Sequence, residues 1–189
     1  MNIDETDATV NPNVRFRVWV AGHPILAALL IGLVATQMAT LIGYYLVGIG
    51  LPQLPWPLFN GFLGAPGEDY GTAGSYFVGQ NLHFVNGIVF AVLYVVLAYH
   101  LFPLPNTTVG NVLKGLIYST VLAIISMGFL IPYVYAPKQG YGFFSFYTDD
   151  GWKLPLAILL WHWVYGFFLG VLYDPSVRGV RATTRVVVD

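Results

Sequence analysis

The sequence predicts an all-α integral membrane protein: a four-helix bundle made of two repeated transmembrane hairpins, with the N and C termini cytoplasmic. The first observation behind this prediction is composition, because 57% of the 189 residues are hydrophobic and only 9% are Asp, Glu, Lys or Arg. Soluble domains carry charges at about a quarter of their positions, so this chain has too few to cover a water-exposed surface. The second is the contiguity of the apolar residues, and the third is an internal repeat.

Four apolar stretches are long enough to cross a bilayer, whose roughly 30 Å hydrocarbon core needs about 20 helical residues. The predicted helices cover about residues 25–49, 76–102, 112–132 and 154–173 of a single domain, 23–173. A polar cytoplasmic segment, 1–22, precedes this domain, and a cytoplasmic tail, 174–189, follows it. Two long outer loops, 50–75 and 133–153, are rich in aromatic residues, which suit the headgroup layer. We expect both loops to lie on the membrane surface or against a partner.

The orientation follows from the basic residues, which cytoplasmic segments retain. They lie before helix 1, near the connection of helices 2 and 3, and after helix 4: Arg15, Arg17, Lys114, Arg178, Arg181 and Arg185. Both termini are therefore predicted to be cytoplasmic. The acidic, polar start of the chain has no small-residue cleavage site after a short apolar core, which predicts that helix 1 is retained as an anchor.

Several classes of site are excluded or disfavoured by what the sequence lacks. No cysteine is present, which excludes disulfides, iron–sulfur clusters and thiolate metal sites within the chain. The net charge of −1 gives no basic face for nucleic acid. Motifs of phosphate binding, zinc proteolysis and serine hydrolysis are missing, and the four helices carry no carboxylate. The sequence therefore favours a non-catalytic protein.

The internal repeat places a histidine at the same point of two helices. HFVNGIVFAVLY (83–94) and HWVYGFFLGVLY (162–173) agree at six of twelve positions, and GLVATQMAT (32–40) and GLIYSTVLA (115–123) begin the preceding helices alike. Two hairpins that enter the membrane in the same sense are related by an axis along the membrane normal. This arrangement predicts that His83 and His162 lie at equal depth.

The two histidines form the candidate site. Residues four apart share a helix face, so Gly87 lies one turn from His83 and Gly166 one turn from His162. Axial histidine pairs ligate haem iron, and four-helix bundles build such sites in their cores. One hypothesis is thus a b-type haem electron carrier, with the histidines as iron ligands and the glycines clearing space for the ring.

Two other interpretations of the histidines stay open. A neutral histidine can bond across a helix interface to a hydroxyl such as that of Thr36, Thr40 or Ser119, and duplication would copy that structural role. Alternatively, the histidines could line a polar path for a small neutral solute together with Gln37 and Asn86.

The text GLVATQMATLIGYYLVGIGLP, followed by a return helix with His-x-x-x-Gly and a final Tyr, resembles a group of small prokaryotic four-helix membrane proteins over about residues 25–173. The resemblance implies a multi-pass protein of a prokaryotic plasma membrane and no particular activity. Small residues step by four along helix 1, which favours close helix contacts. With the aromatic outer loops, this predicts a non-catalytic accessory or scaffold subunit of a larger membrane complex, in contact with lipid and with other membrane subunits.

Overall fold

The computed structural model of the chain describes residues 12–65, 72–135, 137 and 140–176. Within these ranges the protein is helical and has no strand. Four of the described helices are long and apolar enough to cross a membrane, and we number them span 1 (Pro24–Ile49), span 2 (Ala73–Leu101), span 3 (Thr108–Tyr135) and span 4 (Lys153–Leu172). The prediction of an all-helical protein with four membrane-spanning helices is confirmed.

The spans begin where local chemistry starts a helix. Pro24 occupies the first turn of span 1, where its missing N–H costs nothing. Thr72 caps span 2 by accepting a hydrogen bond from the backbone N–H of Ser75 at 3.1 Å. Thr107 caps span 3 in the same way through Gly110, also at 3.1 Å. Span 3 therefore starts four residues earlier than predicted from hydrophobicity, because the cap lies in a polar stretch.

Two spans contain π-helical turns, in which each hydrogen bond closes over one extra residue. One is Tyr94–Ala98 in span 2, and the other is the last part of span 3, Ser126–Tyr135. Pro132 lies inside the second segment and has no backbone N–H to donate, which interrupts the regular α-helical ladder. Span 3 thereby continues to Tyr135, beyond the predicted end at residue 132.

The loop predicted at 50–75 contains a short helix, Trp56–Gly64, which we call the plug helix. It packs against span 2 instead of lying on the membrane surface, and Trp56, Phe59 and Asn60 are buried. The approach is close enough that a side chain on Gly79 of span 2 would collide with the carbonyl oxygen of Pro57. Residues 66–71 of this loop are outside the described ranges.

The second loop carries four exposed aromatics, Phe143, Phe146, Tyr147 and Trp152, whereas its Tyr141 and Phe144 pack against the core. We call the end of the bundle that carries the plug helix and this loop the distal end. The opposite, proximal end carries a helix at Pro12–Gly22, within the predicted N-terminal segment. Residues 1–11 of that segment and 177–189 of the predicted tail lie outside the described residues.

The contacts between the spans show which of them are neighbours in the bundle. Span 1 packs along spans 2 and 4, and span 3 packs along span 4. Spans 2 and 3 meet chiefly at the proximal end, around the π turn Tyr94–Ala98. Spans 2 and 4, which carry the two histidines, thus lie diagonally opposite and touch through long side chains.

Candidate functional site

A cavity of about 100 Å³ lies between the four spans, with the plug helix on its distal side. Both predicted site histidines line it, and so does Gly87, whereas Gly166 does not. The lining is mixed polar, aromatic and aliphatic: Thr36, Trp56, Asn60, His83, Asn86, Gly87, Phe90, Leu122, Ile125, Ser126, Leu130, Tyr135, Trp161, His162 and Tyr165. The structure therefore brings His83 and His162 to one site, and we call it the histidine cavity.

His83 of span 2 is held by a hydroxyl of span 1. Its Nε2 lies 2.9 Å from Oγ1 of Thr40. The same hydroxyl donates its proton to the backbone oxygen of Thr36 at 2.8 Å, so it must accept from the histidine. Nε2 of His83 therefore carries the proton, and Nδ1 is left as a bare acceptor.

His162 of span 4 is held by its own helix. Its Nδ1 lies 2.8 Å from the backbone oxygen of Ile158, and because a carbonyl can only accept, Nδ1 carries the proton. The other nitrogen, Nε2, has no hydrogen-bond partner among the residues that the structure describes. The same holds for Nδ1 of His83.

The two imidazoles thus present the same chemistry by different means. Each ring is fixed in one neutral tautomer by a single hydrogen bond, and each retains one unpaired acceptor nitrogen. The side chains are only 5% and 6% exposed, which keeps bulk water away from both rings. Trp161 packs against both of them, with its centroid 5.6 Å from that of His83 and 4.8 Å from that of His162.

Two buried indole N–H groups near the histidines also lack a hydrogen-bond partner in the described part of the chain. They belong to Trp56 and Trp161. The two indole rings lie 5.1 Å apart between centroids, and both line the histidine cavity. A buried donor without a partner costs about 1–3 kcal/mol, so native structures rarely leave one without a reason.

An amide network ties the plug helix to the wall of the cavity. Asn86 of span 2 donates through Nδ2 to Oδ1 of Asn60 at 2.8 Å and lies 3.4 Å from the hydroxyl oxygen of Tyr135. Asn60 in turn donates to the backbone oxygen of Trp56 at 2.9 Å. This chain fixes Trp56, and with it the distal wall of the cavity.

Across the bundle, Tyr165 of span 4 donates its hydroxyl proton to the backbone oxygen of Gly87 in span 2 at 2.6 Å. This bond joins the two histidine-bearing spans directly, one helical turn from each histidine. It holds the depth of His83 relative to His162.

The two predicted site glycines serve helix packing. A side chain on Gly87 would collide with the hydroxyl of Thr36 in span 1, and one on Gly166 would collide with the hydroxyl of Ser119 and the backbone of Gly115 in span 3. The room that each glycine leaves is already filled by a neighbouring span. Neither glycine provides clearance for a ring.

A haem between the two histidines does not fit this arrangement. Pockets that hold larger ligands have volumes of about 300–1,000 Å³, whereas this cavity has about 100 Å³. Nε2 of His83, one of its two possible iron-ligating atoms, is bonded to Thr40.

The cavity has one side toward the lipid. Spans 2 and 3 do not pack along their helices at this level, and they are linked on the proximal side by the bond from the Tyr118 hydroxyl to the backbone oxygen of Phe90, 2.8 Å long. Between this bond and the contact of Asn86 with Tyr135, the cavity is bordered by Leu122 and Ile125, and Ile125 is exposed on the outer surface. We call this opening the lateral window.

A second polar cluster lies at the proximal end, where most side chains are paired, although the buried Nδ2 of Asn111 has no partner among the described residues. Lys114 is buried inside span 3 instead of lying in a loop, donates to Oδ1 of Asn106 at 2.7 Å, and lies 4.0 Å above the ring of Tyr99. Nearby, Arg17 forms an ion pair with Asp174 at 3.1 Å. These contacts fasten the Pro12–Gly22 helix and the connection of spans 2 and 3 to the bundle.

The sequence indicated the histidine pair but missed the role of the plug helix. Trp56 and Asn60 lie in a segment rich in proline and glycine that resembles a surface loop, and the burial of the segment depends on the close contact with Gly79. The glycines at 61 and 79 were the available signal, since paired glycines permit close helix approach. In the described residues, no group of three or more His, Cys, Asp or Glu side chains is placed to hold a metal ion.

Comparisons with protein-family models, with curated proteins and with solved structures find no match to this chain. The membrane-spanning fold and the chemistry of the histidine cavity are therefore the features that indicate a function.

Proposed function

We propose that this chain is a multi-pass membrane protein that binds a small neutral molecule in the histidine cavity, with access from the lipid through the lateral window. The observation that carries the proposal is the pair of buried neutral imidazoles, each fixed at one nitrogen and left with a free acceptor at the same cavity. Polar groups inside a membrane are costly, and a converging set of them is the usual sign of a binding site.

The volume supports a ligand of one small ring or a few atoms. A cavity of 150 Å³ in another protein core holds benzene, and a water molecule takes about 30 Å³ in the liquid. At about 100 Å³, the histidine cavity is about two-thirds of that volume, so a single ring occupies it with part of its outline in the lateral window. Its aromatic walls favour the ring.

The test is binding of 4-methylphenol to the protein in phosphatidylcholine nanodiscs, followed by tryptophan fluorescence, because Trp56 and Trp161 line the cavity. We expect a saturable response in addition to the linear background from partition into lipid. Ser126→Leu fills the cavity from span 3 and should abolish saturation. Thr120→Leu, on the same span but away from the cavity, is the matched control and should retain it. A response that never saturates, or that both variants lose equally, contradicts the proposal.

A second candidate function is that of an accessory or scaffold subunit in a larger membrane assembly. The observation that favours it is the group of exposed aromatics at the distal end, Phe143, Phe146, Tyr147 and Trp152. Aromatic residues are enriched in protein interfaces as well as in the headgroup layer. Solubilisation in a mild detergent should then copurify a defined membrane partner, and Phe146→Ser with Tyr147→Ser should release it. A single species of monomer mass under several gentle conditions would count against this role.

We further propose that the two hairpins are repeats and that both termini face the cytoplasm of a prokaryotic cell. Equivalent positions make equivalent contacts: Gly87 faces Thr36 in the first hairpin, and Gly166 faces Ser119 in the second. Arg15 and Arg17 at the proximal end support the orientation. Labelling of single cysteines introduced at Gly22 and at Gly140 by a membrane-impermeant reagent tests it, because only the position outside the cell should react in intact cells.

A further inference from the structure

We infer that the ligand of the histidine cavity is a membrane-soluble molecule whose head is a neutral ring bearing a hydroxyl, of the phenol or quinol type. This inference rests on the proposed function and adds the chemical class of the ligand. It follows from which hydrogen-bonding groups at the cavity are already paired and which are free.

The free nitrogens of the cavity are acceptors. Nδ1 of His83 and Nε2 of His162 both need a donor, since the proton of each ring is committed to Thr40 or to the Ile158 backbone. A ligand with only acceptor atoms, such as an ether or a quinone, would leave both nitrogens without a donor. The cavity thus favours a ligand that donates.

A second lining group favours a hydroxyl among the possible donors. Ser126 of span 3 lines the cavity and brings a hydroxyl that can donate a hydrogen bond. A hydroxyl oxygen of the ligand donates one hydrogen bond and also accepts, so one oxygen can serve an imidazole nitrogen and the Ser126 hydroxyl together. A ring N–H group such as that of a pyrrole donates only.

The residues that line the cavity also disfavour a charged ligand. Among the described residues, no Asp, Glu, Lys or Arg lines the cavity, so a charged ligand would lose its hydration without gaining a counter-ion. An anion would in addition face two acceptor nitrogens. The ligand is therefore neutral when bound.

The lateral window accounts for the solubility of the ligand in the membrane. Phe90, Leu122 and Ile125 border the cavity between spans 2 and 3, so an apolar tail attached to the ring can remain in the lipid while the head occupies the cavity. A ring head without a tail samples the same site, which permits a test with small probes.

The experiment compares three probes of nearly equal shape in nanodiscs: 4-methylphenol, which donates and accepts; 4-methylanisole, which only accepts; and toluene, which does neither. We expect 4-methylphenol to bind about tenfold more tightly than 4-methylanisole, after correction for partition into lipid, because an unpaired buried acceptor costs about that factor. His162→Phe and His83→Phe together should remove this difference, whereas His23→Phe, at the proximal end, should retain it.

The outcomes separate the two proposals. Equal saturable binding of all three probes, lost in Ser126→Leu, overturns the inference on the hydroxyl and leaves the proposed binding function intact. No saturable binding of any probe overturns both. A preference for 4-methylphenol that survives the double histidine variant also overturns the inference, because the donor would then be recognised elsewhere.

Discussion

The two hairpins carry the same histidine in the same place but hold it in different ways. In the first hairpin His83 donates to Thr40 of the neighbouring span, and in the second His162 donates to the backbone of its own helix. The position equivalent to Thr40 is Ala123, which offers no hydroxyl. Both hairpins thus keep an imidazole that donates one hydrogen bond and leaves its other nitrogen free. The group that accepts this hydrogen bond differs between the hairpins.

The hairpins differ as well in how tightly their helices meet. A side chain on Gly115 of span 3 would collide with the backbone of Gly166 and approach that of Gly170 in span 4. A side chain on Gly32, the equivalent residue of span 1, would instead lie 2.7 Å from the Cβ of Ala91 and 3.0 Å from the Cα of Ile88. The second hairpin is the more closely packed of the two.

The largest expected effect is therefore on Gly115→Ala, which should lower the free energy of unfolding by about 3 kcal/mol, against about 1 kcal/mol for Gly32→Ala. Neither overlap can be relieved by a rotamer change, but the overlap with the carbonyl oxygen of Gly166 is deeper than that with the Cβ of Ala91, so the helices must separate further in Gly115→Ala. Thermal unfolding in detergent followed by circular dichroism measures both. Gly48→Ala, which meets nothing within 4 Å, is the control. An equal loss in Gly115→Ala and Gly32→Ala would refute the difference in packing.

The next largest effect is expected when the hydroxyl that accepts the hydrogen bond of His83 is removed. Thr40→Val keeps the shape of the side chain but removes the acceptor of His83, so we expect 4-methylphenol to bind severalfold more weakly as the ring loses its fixed tautomer. Thr120→Val removes the acceptor of the Trp163 indole away from the cavity and is the control for loss of a threonine hydroxyl. Nanodisc titrations compare the two, and indistinguishable affinities would show that the Thr40 bond does not set the site.

A smaller effect is expected when the plug helix is loosened. Asn60→Leu removes the partner of Asn86 and leaves that amide without its 2.8 Å bond, which should open the distal wall of the cavity. Quenching of tryptophan fluorescence by acrylamide should increase about twofold if Trp56 becomes accessible to water. Phe62→Leu, on the same helix, provides the comparison, and unchanged quenching in Asn60→Leu would mean that other contacts hold the helix.

The smallest effect on stability should come from the distal loop of the second hairpin. Tyr147 is 78% exposed, and Tyr147→Ser should change the free energy of unfolding by less than about 0.5 kcal/mol. A clear destabilisation in chemical denaturation would show that this loop, like the plug helix, belongs to the packed bundle.

The membrane-spanning part of the fold could be predicted because it depends on composition and length alone. Four apolar segments of about 20 residues leave few other structures for a bilayer protein. The pairing of the histidines at one cavity was likewise indicated by the repeat. The tautomer of each ring could not be predicted, since it depends on whether Thr40 or a backbone oxygen lies within bonding distance.

The plug helix was missed for a different physical reason. Proline and glycine disfavour long helices, so the segment around Trp56 is typical of an irregular surface loop. Its burial depends on a contact between two distant glycine-bearing segments, Gly61 and Gly79, which no local pattern reveals. The π-helical end of span 3 was missed similarly, because hydrophobicity does not distinguish π from α geometry.

The diagonal arrangement of the histidine-bearing spans has a consequence for how the protein is assembled during synthesis. Span 1 packs against span 4, and Trp161, His162 and Tyr165 all come from span 4. Until the ribosome has delivered that last span to the membrane, His83 faces an open bundle with no Trp161 ring beside it. A nascent chain arrested before residue 153 would thus hold an inserted but incomplete site.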